Sequence, residues 1–144
     1  MDYTINDTLE YIISLTRHIP AGDCWAATTA LMIELDFLPH EEGFDYMRES
    51  ILHNVENRNV QMNESYAKIV ETYSGKITPS QIEQSIRRLI KLTWKQKRLE
   101  KWTYIYPEDR LMQSYCPSNK ALIGRIACLI KLWSRCEVNC YETE

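Results

Sequence analysis

The sequence predicts an all-α domain, and three observations carry that expectation. Only 4 Gly and 5 Pro punctuate 144 residues, too few turn formers for the many short strands of an all-β chain. Apolar residues recur mostly at spacings of three and four, the period that keeps them on one helical face. A hydrophobic fraction of 44% over this length is enough for one substantial core, so residues 1–144 read as a single compact multi-helix domain.

The elements follow in order. Asn6 or Asp7 is suited to cap a first helix within residues 1–20, because a short side-chain acceptor satisfies first-turn amides that have no partner. Leu9, Ile12, Ile13 and Leu15 give that helix its apolar face, and Pro20, Ala21 and Gly22 end it. Asp23 caps a second helix through Trp25, Leu31, Met32 and Leu35, which stops between Asp36 and Pro39. In a third helix, Phe44, Met47, Ile51 and Val55 form one stripe. The pattern weakens from Asn59 to Asn63 and resumes with Tyr66, Ile69, Val70 and Tyr73 until Ser74 and Gly75 break it.

Thr78-Pro79-Ser80-Gln81 opens the next helix. Thr78 is a capping residue, Pro79 suits the first helical position because its missing N–H has no partner there, and Gln81 completes a capping box. Two helices joined by a short Gly-containing turn predict a helix-turn-helix over about residues 64–95. The connector from Trp102 to Ser118 is compatible with short helical turns or with a hairpin through Tyr104-Ile105-Tyr106. Ser118 or Asn119 caps a last helix in which Leu122, Ile123, Ile126, Leu129, Ile130 and Trp133 are dense enough to lie in the core. Residues 134–144 read as a flexible tail.

Charge is unevenly distributed. The net charge is −3, yet Lys76 to Lys101 holds eight basic residues against two acidic ones, a surplus of +6, while the remaining nine basic and eighteen acidic residues carry −9. Within the helix that begins at Pro79, Ile82, Ile86, Leu89, Ile90 and Thr93 share the arc facing the core; Gln84, Arg87, Arg88, Lys91 and Lys95 share the opposite arc. A rod with amides and cations on its free side suits a major groove about 12 Å wide. The first turns of such a helix penetrate deepest, so Gln81, Glu83, Gln84 and Arg87 are the expected base contacts: Gln pairs with adenine, Arg with guanine, and Glu accepts from the cytosine amino group. Ser80, Arg88, Lys91, Lys95, Lys97 and Arg98 are the expected phosphate contacts. The bland counterpart, a merely solvated cationic face, is equally compatible with periodicity alone.

Two stretches carry a family resemblance: LDFLPHEEGFDYMRESI (Leu35 to Ile51) and TPSQIEQSIRRLIKLTW (Thr78 to Trp94). They resemble the C-terminal effector domain of the sporulation response regulator of endospore-forming bacteria, the stage 0 sporulation protein A family. His40, Gly43, Phe44, Tyr46, Met47, Arg48, Glu49 and Ile51 fit its first pattern; Pro79, Ser80, Glu83, Ile86, Arg87, Ile90 and Trp94 fit its second. Pro117, Ser118 and Asn119 are similar to the family's start of the last helix. The likeness runs from about Cys24 to Trp133, within an effector-like region of residues 22–133.

The resemblance implies a helical, winged-helix-like effector domain, a transcriptional regulator that binds short promoter boxes, often as head-to-tail pairs, through the helix already singled out. Of the expected base contacts, Glu83 and Arg87 match family reading positions. Gln81 and Gln84 stand where the family has arginines, which implies a different base preference, and Arg88 replaces a histidine. The turn between Tyr73 and Pro79 is about two residues longer than the family's. The family's receiver domain has no counterpart in this sequence, and about 20 unrelated residues stand in its place, which predicts control by expression, partner binding or the N-terminal helix.

Other classes fit less well. The N-terminal MDYTINDTLEY lacks a basic segment followed by an apolar run, and no stretch approaches the ~20 apolar residues that span a bilayer, so a cytoplasmic protein without a membrane partner is expected. The 5 cysteines include no CxxC pair and read as reduced thiols; Cys136 and Cys140 lack a nearby histidine, so neither a metal nor another cofactor is expected. His18, His40 and His53 are scattered, and no nucleophile, base or metal set assembles from the spacings, which argues against an enzyme. The rival reading is a DNA-independent interaction module that binds a related regulator through Trp25, Trp102, Tyr104 and Tyr106.

Overall fold

A computed structural model describes residues 5–57, 60–96, 99–105 and 115–142, with side chains for 7–57, 60–96, 101–105 and 115–135. Among these residues the regular structure is helical: α1 (Ile5–Leu15), α2 (Cys24–Glu34), α3 (Glu42–Glu56), α4 (Met62–Thr72), α5 (Pro79–Lys95), α6 (Leu99–Ile105) and α7 (Asn119–Glu142). The all-α expectation holds. Lys97, Arg98 and Tyr106, and the side chains of Cys136 and Cys140, lie outside the described residues.

The local signals act largely as expected. The Asp23 carboxylate accepts from the Ala26 amide at 3.0 Å and caps α2. Asp36, with φ of +71°, turns the chain after α2 in a conformation that Asp tolerates better than most residues, and Phe37 drops into the core behind it. The helix-turn-helix corner is a Schellman motif: Gly75 N–H donates to the Val70 carbonyl at 2.9 Å and Ser74 N–H to the Glu71 carbonyl at 3.0 Å. Ser74 and Gly75 take φ of +58° and +71°, and the glycine adopts this left-handed conformation without a Cβ clash.

Two boundaries differ from the sequence expectation, and one connector that the sequence left open is resolved. Helix α1 already begins at Ile5, so Asn6 and Asp7 lie inside its first turn and Asp7 acts there as a favourable charge, not as the cap. The connector after α5 contains helix α6, not a hairpin; Tyr104 and Ile105 belong to its last turn. Helix α7 continues to Glu142 through the segment expected as a flexible tail, because no Gly or Pro after Gly124 provides a stop.

Helix α3 is the hub, packed against α2, α4, α5 and α7. Phe44, Met47 and Ile51 from α3, Ile82, Ile86 and Ile90 from α5, and Ile123, Ile130 and Trp133 from α7 are buried in one core. The crossing of α3 and α5 is unusually close at Gly43. A Cβ on that residue would sit 2.3 Å from the Ser85 carbonyl oxygen and 2.8 Å from its carbon, so only glycine lets the two backbones approach this far.

The N-terminal helix is docked against α6 and the end of α2. Thr8 Oγ1 donates to the Tyr104 carbonyl at 2.6 Å, the Tyr11 and Tyr104 rings stack at 4.1 Å, and Tyr11 Oη donates to Glu34 at 2.9 Å. Glu34 also pairs with Lys101 at 2.9 Å. Lys101 is therefore neutralised internally, although the sequence counts it in the cationic segment.

A second polar link joins α3 to α4. Ser65 Oγ lies 2.8 Å from Ser50 Oγ and 3.2 Å from His53 Nδ1. Both serines are buried, so the Ser65–His53 pair is a structural contact without an accessible nucleophile. Burial pushes the imidazole below its ordinary 6.5; Glu49 and Glu56 oppose that effect and Lys68 adds to it. The unfolded chain thus binds the proton more readily, and the stability this site contributes is complete above pH 6.5 and declines as pH falls through that value. The thermal midpoint is expected to drop more steeply between about pH 7 and about pH 5 in the wild type than in His53→Gln. Parallel profiles for the two proteins would exclude His53 as the source.

Candidate nucleic-acid interface

Helix α5 is built from its cap outward. Thr78 has extended φ and ψ of −96° and 156°; its Oγ1 accepts from Gln81 N–H at 3.2 Å, and its own N–H donates to Gln81 Oε1 at 2.9 Å. With Pro79 following, the capping box forms as the sequence predicts. Ile82, Ile86, Leu89, Ile90 and Thr93 are buried, and Thr93 Oγ1 turns back to the Leu89 carbonyl at 2.8 Å, which satisfies its hydroxyl inside the core.

On the other side, Ser80, Gln81, Glu83, Gln84, Arg88, Lys91 and Lys95 are exposed. Gln81 is partly committed, since its carbonyl oxygen serves the capping box. Gln84, Arg88, Lys91 and Lys95 stand four, three and four residues apart and so form one continuous stripe. A groove of about 470 Å³ lies on one side of this stripe, with Tyr46, Tyr73, Lys76 and Arg88 among its walls. A groove of about 390 Å³ lies on the other, with Met62, Tyr66, Glu83 and Lys120 among its walls. Gln84 borders both.

Arg87 has a different environment. It is half-buried, its Nη1 donates to the Pro117 carbonyl at 2.5 Å, and its Nη2 lies 3.7 Å from Cys116 Sγ. One turn earlier, Asn119 Nδ2 donates to the Glu83 carbonyl at 3.0 Å and approaches Tyr66 Oη at 3.4 Å. Burial raises the pKa of the Tyr66 phenol, keeping it protonated. The α7 cap falls to Ser118, whose Oγ accepts from Ala121 N–H at 3.1 Å. Asn119, read from sequence as an alternative cap, is instead 7% exposed and braces α5. Neither brace is legible in the sequence, because each joins residues 30 or more positions apart.

The aromatic residues considered for a partner surface are dispersed. Trp102 is 4% exposed and lies in the core against Trp94 and Phe37, and Tyr104 stacks on Tyr11. Trp25 is 50% exposed, with the Arg48 guanidinium 4.2 Å from its ring centre, a cation–π contact. Among the described residues no group of three or more His, Cys, Asp or Glu is arranged to hold a metal ion, and no helix is long and apolar enough to cross a membrane.

Residues 28–130 match the family described as sporulation initiation factor Spo0A C terminal. No curated protein and no solved structure matches the chain.

Proposed function

The chain belongs to the sporulation initiation factor Spo0A C-terminal family of DNA-binding regulatory domains, and on that premise we propose that it is a transcriptional regulator that reads short promoter boxes with α5 in the major groove. The exposed stripe of Gln84, Arg88, Lys91 and Lys95 on a firmly capped helix carries this reading. Gln84 and Glu83 lie near the helix start, where side chains reach base edges, and the later cations, with Ser80, suit phosphates. Gln81 contributes to base contact only when its amide turns away from the cap. The protein acts in the cytoplasm on double-stranded DNA, with pairs of copies placed head to tail on adjacent boxes.

A salt titration tests it. Binding to random duplex is expected at low salt, with log K falling against log salt by about 0.9 per phosphate contact. Selection from a random duplex pool is then expected to return a defined box. Absence of duplex binding at low salt would sink the proposal. It would favour instead a contact with a related regulator, for which the half-exposed Trp25 and Ile33 on α2 are the supporting observation.

A further inference from the structure

We infer that Arg87 positions the reading helix and does not itself read a base: its guanidinium straps α5 to the carbonyl that opens α7, leaving base contact to Gln84 and Glu83. This rests on the DNA-binding reading above and assigns a different task to a residue that the sequence pattern places among the readers. The resemblance alone puts Arg87 and Glu83 in one class; their surroundings separate them.

Arg87 and Glu83 are four residues apart and so occupy the same flank of α5. Both are tied at that flank to the start of α7, Arg87 through its side chain to the Pro117 carbonyl and Glu83 through its carbonyl to Asn119. The ties differ in what they leave free. Glu83 gives up only a backbone acceptor and keeps its carboxylate exposed. Arg87 gives up its guanidinium, half-buried between Cys116 and Pro117.

Swinging Arg87 out to a base would break a charge-assisted hydrogen bond and leave the carbonyl of the buried Pro117 without that donor, a penalty any base contact must first recover. Among the described residues Gln84 faces no such competition. It stands between the two grooves, at the head of the stripe that continues through Arg88, Lys91 and Lys95. The strap also fixes the roll of α5 about its own axis. Without the strap a smaller fraction of molecules holds α5 in its seated orientation, and because that fraction scales the affinity for any duplex, the brace affects recognition of every sequence alike.

The test compares Arg87→Ala, Arg87→Lys and Gln84→Ala on the box recovered by selection and on duplexes with each base pair changed in turn. Hydrogen exchange of the amides from Lys120 to Ile123 is followed in the free proteins. Arg87→Ala is expected to weaken every duplex by the same factor, roughly tenfold, with the ratios between duplexes unchanged and exchange at the start of α7 accelerated. Arg87→Lys retains one donor for the Pro117 carbonyl and is expected to recover part of both losses. Gln84→Ala is expected to flatten the ratios at one base pair with wild-type exchange. Loss of discrimination at one base pair in Arg87→Ala, with exchange unaltered, overturns the inference. If the wild type binds no duplex, the DNA-binding reading fails separately, and the exchange data alone decide whether the strap exists.

Discussion

Alanine at position 43 is expected to destabilise the protein by about 3 kcal/mol, at the upper end of the usual penalty for overpacking. The added methyl would meet the Ser85 carbonyl at 2.3 Å. That atom belongs to the backbone of α5, so no rotamer change relieves the contact, and α5 must retreat from α3 by about 1 Å to restore an ordinary separation. Such a retreat loosens Phe44 against Ile82 and Ile86, all buried in the same core. Gly124→Ala supplies the contrast. Among the described residues nothing lies within 4 Å of the added methyl there, and a helical glycine replaced by alanine is expected to gain about 1 kcal/mol. Denaturant unfolding of the two variants separates crowding from helix propensity. Equal stability of Gly43→Ala and wild type would show that the helices do not cross as closely as described.

The triple variant Arg88→Gln, Lys91→Gln and Lys95→Gln is expected to lose roughly a hundredfold or more in affinity for duplex at low salt. Its salt slope is expected to be shallower by about 2.7, or about 0.9 for each of three lost phosphate contacts. All three side chains are exposed, so stability is expected to stay within about 0.5 kcal/mol of wild type. An unchanged slope would mean that the polyanion is held elsewhere on the molecule.

Helix α5 was legible in nearly every respect, because its determinants are local. A threonine, a proline and a glutamine within four residues make the cap, and five apolar-facing positions at helical spacing make the buried stripe. What escaped depends on distant partners. Gly43 is visible as a residue of the family pattern, but its role comes from Ser85 on another helix. Arg87 looks like its cationic neighbours until Pro117 is brought beside it, and Lys101 looks like a surface charge until Glu34 is. The last helix runs past the expected boundary because no Gly or Pro after Gly124 stops it, and the start of the first differs by no more than the one or two positions within which helix ends are defined.

The placement of charge has a kinetic consequence. With cations gathered along one exposed stripe and an acidic surplus in the rest of the sequence, attraction to a polyanion is concentrated on that stripe. In the field of a polyanion the stripe is drawn forward before contact, and arrivals that do not present it gain no such attraction. Productive arrivals are thereby enriched over random ones, and this advantage fades once mobile ions shorten the range of the field.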